Sequence, residues 1–550
     1  LRQMRKKAPN ILLQMLIRGA NAVGYTSYPD NVVKNFVELS AKNGIDVFRI
    51  FDSLNSLDNM YETVQAVRET GKIAEVALCY TGDILDASRP KYNLDYYVKM
   101  AKELQNAGAN IIAIKDMAGL LKPEAAYNLV SALKDAVDLP IHLHTHDGSG
   151  NAITTLNRAT DAGVDIVDVA YSAFAGGTSQ PSMNSFYYSM TGKDRQPDMD
   201  IEAMEEMSRY WATVRPYYKG VDKAEPYPNT EVYYCEMPGG QFSNLRQQAK
   251  AVGLGDRWNE IKKMYHDVNL MFGDIVKVTP SSKVVGDMTL YMVQNDLTEK
   301  DIYEKGDTLD FPQSVVEFFE GRLGFPYQGF PEKLQKIILK GRKPLTQRPG
   351  KLLEPVDFDA VSKKLEDAGY GHTPEDINAY CQYPKVFTDY NERVKKYGDV
   401  SVLDTPTFFF GMRKNEEITV ELEEGVQLII TLINISDPDD SGMRTITFMF
   451  NGAEREIQVQ DKNVDQTTVT TKKADPDKIG DIGATLSGSV VNVLVSKGQK
   501  VKKGEPLVVT EAMKMETTIT SPIDGTIGEI YAVKGKPIIS GDCLLEVLEG

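Results

Sequence analysis

Short apolar runs recur along the first 180 residues: N-I-L-L-Q-M-L-I-R (10–18), D-V-F-R-I-F-D (46–52), E-V-A-L-C-Y (75–80), N-I-I-A-I-K-D (110–116), P-I-H-L-H-T-H-D (140–147) and V-D-I-V-D-V-A (164–170). Each of the first five is followed by a stretch of helical periodicity, such as N-V-V-K-N-F-V-E-L-S-A-K-N-G, usually closed by Gly. Strands that alternate with helices at a spacing of about 30 residues predict βα units on a parallel sheet. Six such units fit most of a (β/α)8 TIM barrel. Arg18, Asp52, Lys115, His144, His146 and Asp147 all fall at the C-terminal ends of their runs, where that fold puts chemistry. A doubly wound sheet is the rival, but no G-x-G-x-x-G follows any run. The chain starts without Met, so the barrel over residues 1–184 is expected to be N-terminally truncated, its first two strands lying upstream of Leu1.

Residues 185–395 are mostly helical in pattern. The grammar changes near residue 403 to T-F-F-F-G-M-R, I-T-V-E-L-E, Q-L-I-I-T-L-I-N-I and R-T-I-T-F-M-F-N-G, which predicts a small β-rich domain over 396–465. A polar stretch, 466–478, reads as a flexible linker. Short strands punctuated by glycines then resume over 479–550, as a compact all-β module on a tether. The fold class is therefore multidomain α/β.

Composition narrows the partners. The 550 residues carry 62 Lys plus Arg against 78 Asp plus Glu, a net charge of −16. Such a surface repels phosphate backbones, so no nucleic acid is expected. No run of 18 apolar residues is present, so no membrane span is expected. Cys79, Cys235, Cys381 and Cys543 lie far apart without C-x-x-C spacing. That suits a reducing compartment, the cytoplasm, and neither a disulfide framework nor a zinc–thiolate cluster.

Three of the five histidines, His142, His144 and His146, share one strand and hence one face. His144 and His146 stand nearest the strand's C-terminal end and are candidate metal ligands, with His142 in support. Lys115 ends the preceding strand. A buried ammonium must be paired or modified, so either Asp116 or Asp147 forms a salt bridge with it, or the neutral amine takes up CO2 and becomes an anionic carbamate ligand. Two neutral imidazoles and one anion suit Zn²⁺ or Mn²⁺; a further ligand would have to come from the upstream strands. Thr279, in V-T-P-S-S-K, reads on its own as a helix N-cap. Lys514 falls between P-L-V-V-T-E and M-E-T-T-I, where a hairpin turn belongs.

Two resemblances sharpen these readings. The tether and E-A-M-K-M-E-T-T-I resemble the biotin carboxyl carrier domain, which implies biotin attached covalently to Lys514 by a biotin protein ligase. A-I-K-D-M-A-G-L-L-K-P, H-L-H-T-H-D-G-S-G, Q-M-L-I-R-G-A-N-A-V-G-Y-T-S-Y-P-D-N, F-R-I-F-D-S-L-N and G-D-I-V-K-V-T-P-S-S-K-V-V-G-D-M are similar to the carboxyltransferase barrel of the pyruvate carboxylase family. V-L-D-T-P-T-F-F-F-G-M-R-K-N-E is similar to that family's allosteric/tetramerisation domain.

The resemblance implies transfer of CO2 from carboxybiotin to pyruvate, giving oxaloacetate for anaplerosis and gluconeogenesis. It implies a homotetramer and an upstream ATP-using biotin carboxylase domain. It makes Lys115 the carboxylated ligand of a divalent metal, with His144 and His146. Arg18 would bind the pyruvate carboxylate, Tyr25 and Ser282 the biotin end, and Thr279 would shuttle the proton between pyruvate and biotin. Two departures stand out. The family's H-T-H-D-T-S-G reads H-T-H-D-G-S-G here, so Gly148 lacks a hydroxyl, and the family's D-A-H-Q-S strand is absent. The rival readings are an oxaloacetate decarboxylase α subunit, which should lack the F-F-F-G-M-R domain, and a non-catalytic scaffold that only presents a biotinylated arm.

Overall fold

The computed structural model describes residues 1–221, 228–439, 442–461, 472–475, 478–512 and 515–549. It packs as two units, one of Leu1–Trp211, Ala224–Tyr383 and Lys472–Gly550, the other of Ala212–Lys223 and Pro384–Thr471.

The βα pattern folds as anticipated. β1 (Gln14–Ile17), β2 (Val47–Ile50), β3 (Ile73–Cys79), β4 (Ile111–Asp116), β5 (Ile141–Thr145) and β6 (Ile166–Val167) form one parallel sheet in sequential order. This is an arc of a TIM-like barrel, with helices between successive strands. The last strand keeps only two of its seven expected residues. Helices on the outside and a packed interior bury both faces of the strands, which explains their near-continuous apolar runs. Leu78, Ile114 and Leu143 are fully buried in that core. The interior is not apolar throughout. Arg49, Glu75, His142 and Asp168 fill part of it as an ionic network rather than the usual branched aliphatic layers.

The largely helical residues 235–339 build a second core, in which Tyr265, Phe272, Phe318 and Phe319 are fully buried. Between the two cores runs a segment outside helices and strands, residues 275–278. Val276 and Val278 belong to the barrel core and Ile275 to the helical one.

In the second unit, β7 (Glu417–Glu423), β8 (Val426–Ile435), β9 (Met443–Phe450) and β10 (Ala453–Gln460) form an antiparallel meander. T-F-F-F, grouped with these strands by its composition, is instead a helix over Thr405–Phe410. Pro406 in the first turn presets helical φ there and overrides the β preference of the aromatics.

The C-terminal module pairs two four-stranded sheets around Leu507, Val508, Leu544 and Leu545. One sheet joins β11 (Asp481–Gly483), β18 (Cys543–Glu549), β16 (Gly525–Ile530) and β13 (Lys500–Val501); the other joins β15 (Met515–Thr520), β14 (Pro506–Ala512), β12 (Gly488–Val493) and β17 (Pro537–Ile538). Residues 472–475, read as linker, are drawn onto this module. Lys472 pairs with Glu546, and Lys473 with Asp542 at 2.7 Å. The module rests on the helical region through Thr520, whose N–H and hydroxyl donate to Asp310 at 3.3 and 2.9 Å.

Candidate active site

Parallel register brings the candidate residues together. Cys79, Lys115 and His144 are direct partners across β3, β4 and β5, so their side chains share one face. His146 lies two residues on, just past the end of β5, its ring centroid 5.1 Å from that of His144. The His144 Nδ1–H donates to Asp168 at 2.6 Å, and the His146 Nδ1–H donates to the Thr178 carbonyl at 2.6 Å. These bonds fix both tautomers and leave each Nε2 unprotonated, with no hydrogen-bond partner among the described residues. Burial pushes the His144 pKa down to about 4, and burial with the nearby His144 and Lys115 pushes His146 to about 3. Both rings are neutral at pH 7, the form that ligates a metal.

Close packing seats this pair. A Cβ at Gly119 (φ +74°) would stand 2.5 Å from the His146 carbonyl oxygen, and one at Gly239 would stand 3.0 Å from His146 Nδ1. Gly148 is different. A Cβ there would meet nothing closer than 3.6 Å, so the missing side chain is not a steric demand.

Lys115 is 6% exposed, and its Nζ lies 4.9 Å from the Phe51 ring centroid. It makes no salt bridge with Asp116 or Asp147. Asp116 is turned to the loop, accepting from Leu120 N–H, Leu121 N–H and the Thr145 hydroxyl, and Asp147 accepts from Ala152 N–H at the start of a helix. Burial lowers the Lys115 pKa to about 8, which enriches the neutral amine that can take up CO2. Asp52, also at a strand end, is buried and accepts from Leu54 N–H, Ser56 N–H and Asn59 Nδ2, so it shapes a turn.

Three residues that sequence reasoning missed support the histidines. Asp168 bridges His142 Nε2 and His144 Nδ1, at 2.9 and 2.6 Å. Arg49 is ion-paired with both Asp168 and Glu75, and Glu75 accepts from His142 at 2.9 Å. Burial opposes ionisation of Asp168, but hydrogen bonds from His142 and His144 and the charge of Arg49 hold its pKa far below normal. The available signal was charge inside apolar strands, in V-F-R-I, A-E-V-A and V-D-V. His142, expected in support, is hydrogen-bonded to Glu75 and Asp168.

Among the described residues no three His, Cys, Asp or Glu side chains converge as a metal site. Two free Nε2 atoms and a buried lysine of lowered pKa nevertheless fit part of one, and a carbamate on Lys115 would add the anion.

Arg18 follows β1. Its guanidinium donates to the carbonyls of Val23 and Gly24 and lies over Tyr25, 5.8 Å from the ring centroid. Its buried Nε has no partner, and neither does Ser282 Oγ. Buried polar groups are ordinarily satisfied, so both atoms suit a ligand. Thr279 is half-buried and precedes a cis peptide bond to Pro280. It is not an N-cap, since the helix runs Ser281–Gln294 with Pro280 at that position. Tyr25 is 49% exposed. Lys514 lies outside the described residues; the strands flanking it pair through Ala512 and Met515.

Comparison with known proteins follows the same division. Residues 40–210 match the family described as "HMGL-like", 232–431 "Conserved carboxylase domain" and 478–547 "Biotin-requiring enzyme". The whole chain is 58% identical over 548 residues to a pyruvate carboxylase of Bacillus subtilis, covering 48% of that protein. The carboxyl transferase domain of Rhizobium etli pyruvate carboxylase, solved with pyruvate and biocytin, is 50% identical, with a TM-score of 0.80. That match covers 84% of this chain and 78% of the solved one. The complete multifunctional enzyme from Rhizobium etli matches with the same score, and 45% of it is covered. The chain spans about half the length of the curated relatives it matches.

Proposed function

This chain belongs to the pyruvate carboxylase family, and on that premise we propose that it performs the carboxyl-transfer half of that reaction, from carboxybiotin to pyruvate. The observation that carries the reading is the register that sets Lys115 beside His144, with His146 two residues on, the Nδ1 of both histidines tied back and the Nε2 of both free.

Biotin on Lys514 would deliver the carboxyl group, and a divalent metal, Mn²⁺ or Zn²⁺, would add fixed positive charge at the strand ends. Lys115 as a carbamate, His144 and His146 would hold that metal. Arg18 binds and orients the pyruvate carboxylate through its unsatisfied Nε–H. Ser282, its hydroxyl also unsatisfied, and the exposed Tyr25 receive the biotin end. Thr279 would give its hydroxyl proton to the biotin end and, in the same step, take one from the pyruvate methyl. The resulting enolate attacks CO2 and gives oxaloacetate.

A biotin protein ligase and an upstream biotin carboxylase domain are the partners this reading needs. Exposed Phe408, Phe410, Ile429, Ile435 and Ile457 in the second unit support assembly, which we read as a homotetramer. Four free cysteines support a reducing compartment, the cytoplasm. The meander of β7–β10, which the decarboxylase reading lacks, favours pyruvate carboxylation, and a scaffold has no use for Arg18, Lys115 and His144. In the whole protein, with its ATP-using half present, Thr279→Ala should lower pyruvate carboxylation about 10²- to 10⁴-fold. ATP-dependent carboxylation of biotin should persist. Survival of pyruvate carboxylation would remove the proton-shuttle role.

A further inference from the structure

A fully buried lysine stands two residues before Thr279, and the mechanism above does not use it. Lys277 is 1% exposed. Its Nζ is 2.9 Å from Glu236 Oε2 and donates to Thr81 Oγ1 at 3.1 Å. Thr81 follows β3 and is locked in turn, its N–H donating to the Tyr97 hydroxyl and its carbonyl accepting from it. Glu236 is also paired with Arg89. Burial works against that carboxylate, yet Lys277 and Arg89 hold its pKa near 2.

The segment that carries Thr279 needs such a device. Residues 275–278 belong to no helix or strand and, among the described residues, pair with no strand, so no sheet ladder sets their position. Side chains hold them instead. On the N-terminal side Lys91 donates to the Gly273 carbonyl at 2.6 Å and Arg89 reaches Asp274 at 3.3 Å. On the C-terminal side the Ser281 hydroxyl, a single donor, lies within hydrogen-bond reach of the carbonyls of Ser53, Val276 and Val278 at 3.1, 2.7 and 2.8 Å. Lys277 lies between these two sets and, as Ser281 does through Ser53 beyond β2, ties the segment to the barrel, here at Thr81 beyond β3.

We propose that Lys277, clasped between Thr81 and Glu236, is a positioning residue that sets where Thr279 sits over the strand ends. The inference rests on the proton-transfer reading of Thr279. A misplaced reacting group of about 1 Å costs on the order of 10²-fold in rate without weakening substrate binding. Lys277→Met in the whole protein should therefore lower kcat for pyruvate carboxylation about 10²-fold. The KM for pyruvate should stay within about 3-fold, and ATP-dependent biotin carboxylation should be unchanged. Methyl-deuteriated pyruvate should show a larger isotope effect than in the parent, because proton transfer becomes more limiting.

A lysine with only a structural role would lower folded protein while leaving kcat per folded enzyme and the isotope effect as they were, and that result overturns the proposal. If Lys277→Met does not fold, Glu236→Gln, which keeps the volume and loosens the clasp, should show the same split of kcat from KM; parental kinetics there would equally overturn it. Thr279→Ala separates the two claims. An active Thr279→Ala would sink the reading beneath the proposal, whereas an inactive Thr279→Ala beside an active Lys277→Met would sink the positioning role alone.

Discussion

Two buried lysines in this fold meet opposite surroundings. Lys277 has a carboxylate at 2.9 Å and a hydroxyl at 3.1 Å, so its ammonium is compensated and its task is to hold backbone in place. Lys115 has an aromatic face, an inert buried thiol and two imidazoles, and it has no carboxylate of its own. Asp168 is near but is engaged by His142, His144 and Arg49. The difference teaches that burial alone does not make a lysine chemically available. Availability requires that the fold withhold a counter-charge, and here Asp116 and Asp147 are turned away to do it. A buried lysine without a counter-charge is ready to lose its proton.

The sharpest way to break this contrast is Lys115→Met. In the whole protein it should abolish bound metal by elemental analysis and cut pyruvate carboxylation by more than the roughly 10²-fold ascribed to a supporting residue. Activity within tenfold of the parent would mean that the uncompensated lysine is not a ligand. Next in size is Asp168→Asn, which frees the His144 tautomer. Metal affinity, titrated against a chelator, should weaken about 10- to 100-fold, and unaltered affinity would show that the carboxylate is there only for Arg49.

The smallest effect is on stability, and its sign separates the two lysines. Lys277→Met leaves Glu236 with Arg89 only and should cost about 2–3 kcal/mol, less than a fully stranded partner would. Lys115→Met strands no carboxylate and should be neutral or stabilising by urea unfolding. A pH dependence goes with it. The folded pKa of Lys115 is about 8, below its ordinary 10.5, so between those values the unfolded chain binds more protons. Stability of the metal-free protein in CO2-free buffer should therefore rise with pH across that window, and Lys115→Met should flatten the rise.

Much of this site could be read along the chain. Arg18, Lys115, His144 and His146 each end an apolar run, and parallel register does bring Lys115 and His144 side by side. What could not be read was the partner of each group. Asp116 and Asp147 follow Lys115 and His146 directly, and sequence adjacency makes them natural salt-bridge candidates. Their carboxylates are drawn instead to backbone N–H groups of the loops they begin, bonds that depend on how the chain turns there. Asp168 and Arg49 are separated by 119 residues and meet only because β2 and β6 belong to one curved sheet.

The period of apolar positions and the glycine and proline punctuation were thus sufficient, by themselves, for the parallel barrel arc, the β module at the end and the residues at the strand ends. Those features are local, written in side chains a few positions apart. The helix at Thr405–Phe410, the packing of residues 472–475 onto the carrier module and the pairing of every buried charge were decided only by the tertiary structure. The physical reason is that a charge buried from water takes whichever opposite group or hydrogen-bond donor the fold brings within about 3 Å, and that neighbour is set by packing. For Lys115 the packing supplied no such group, and for Lys277 it supplied Glu236.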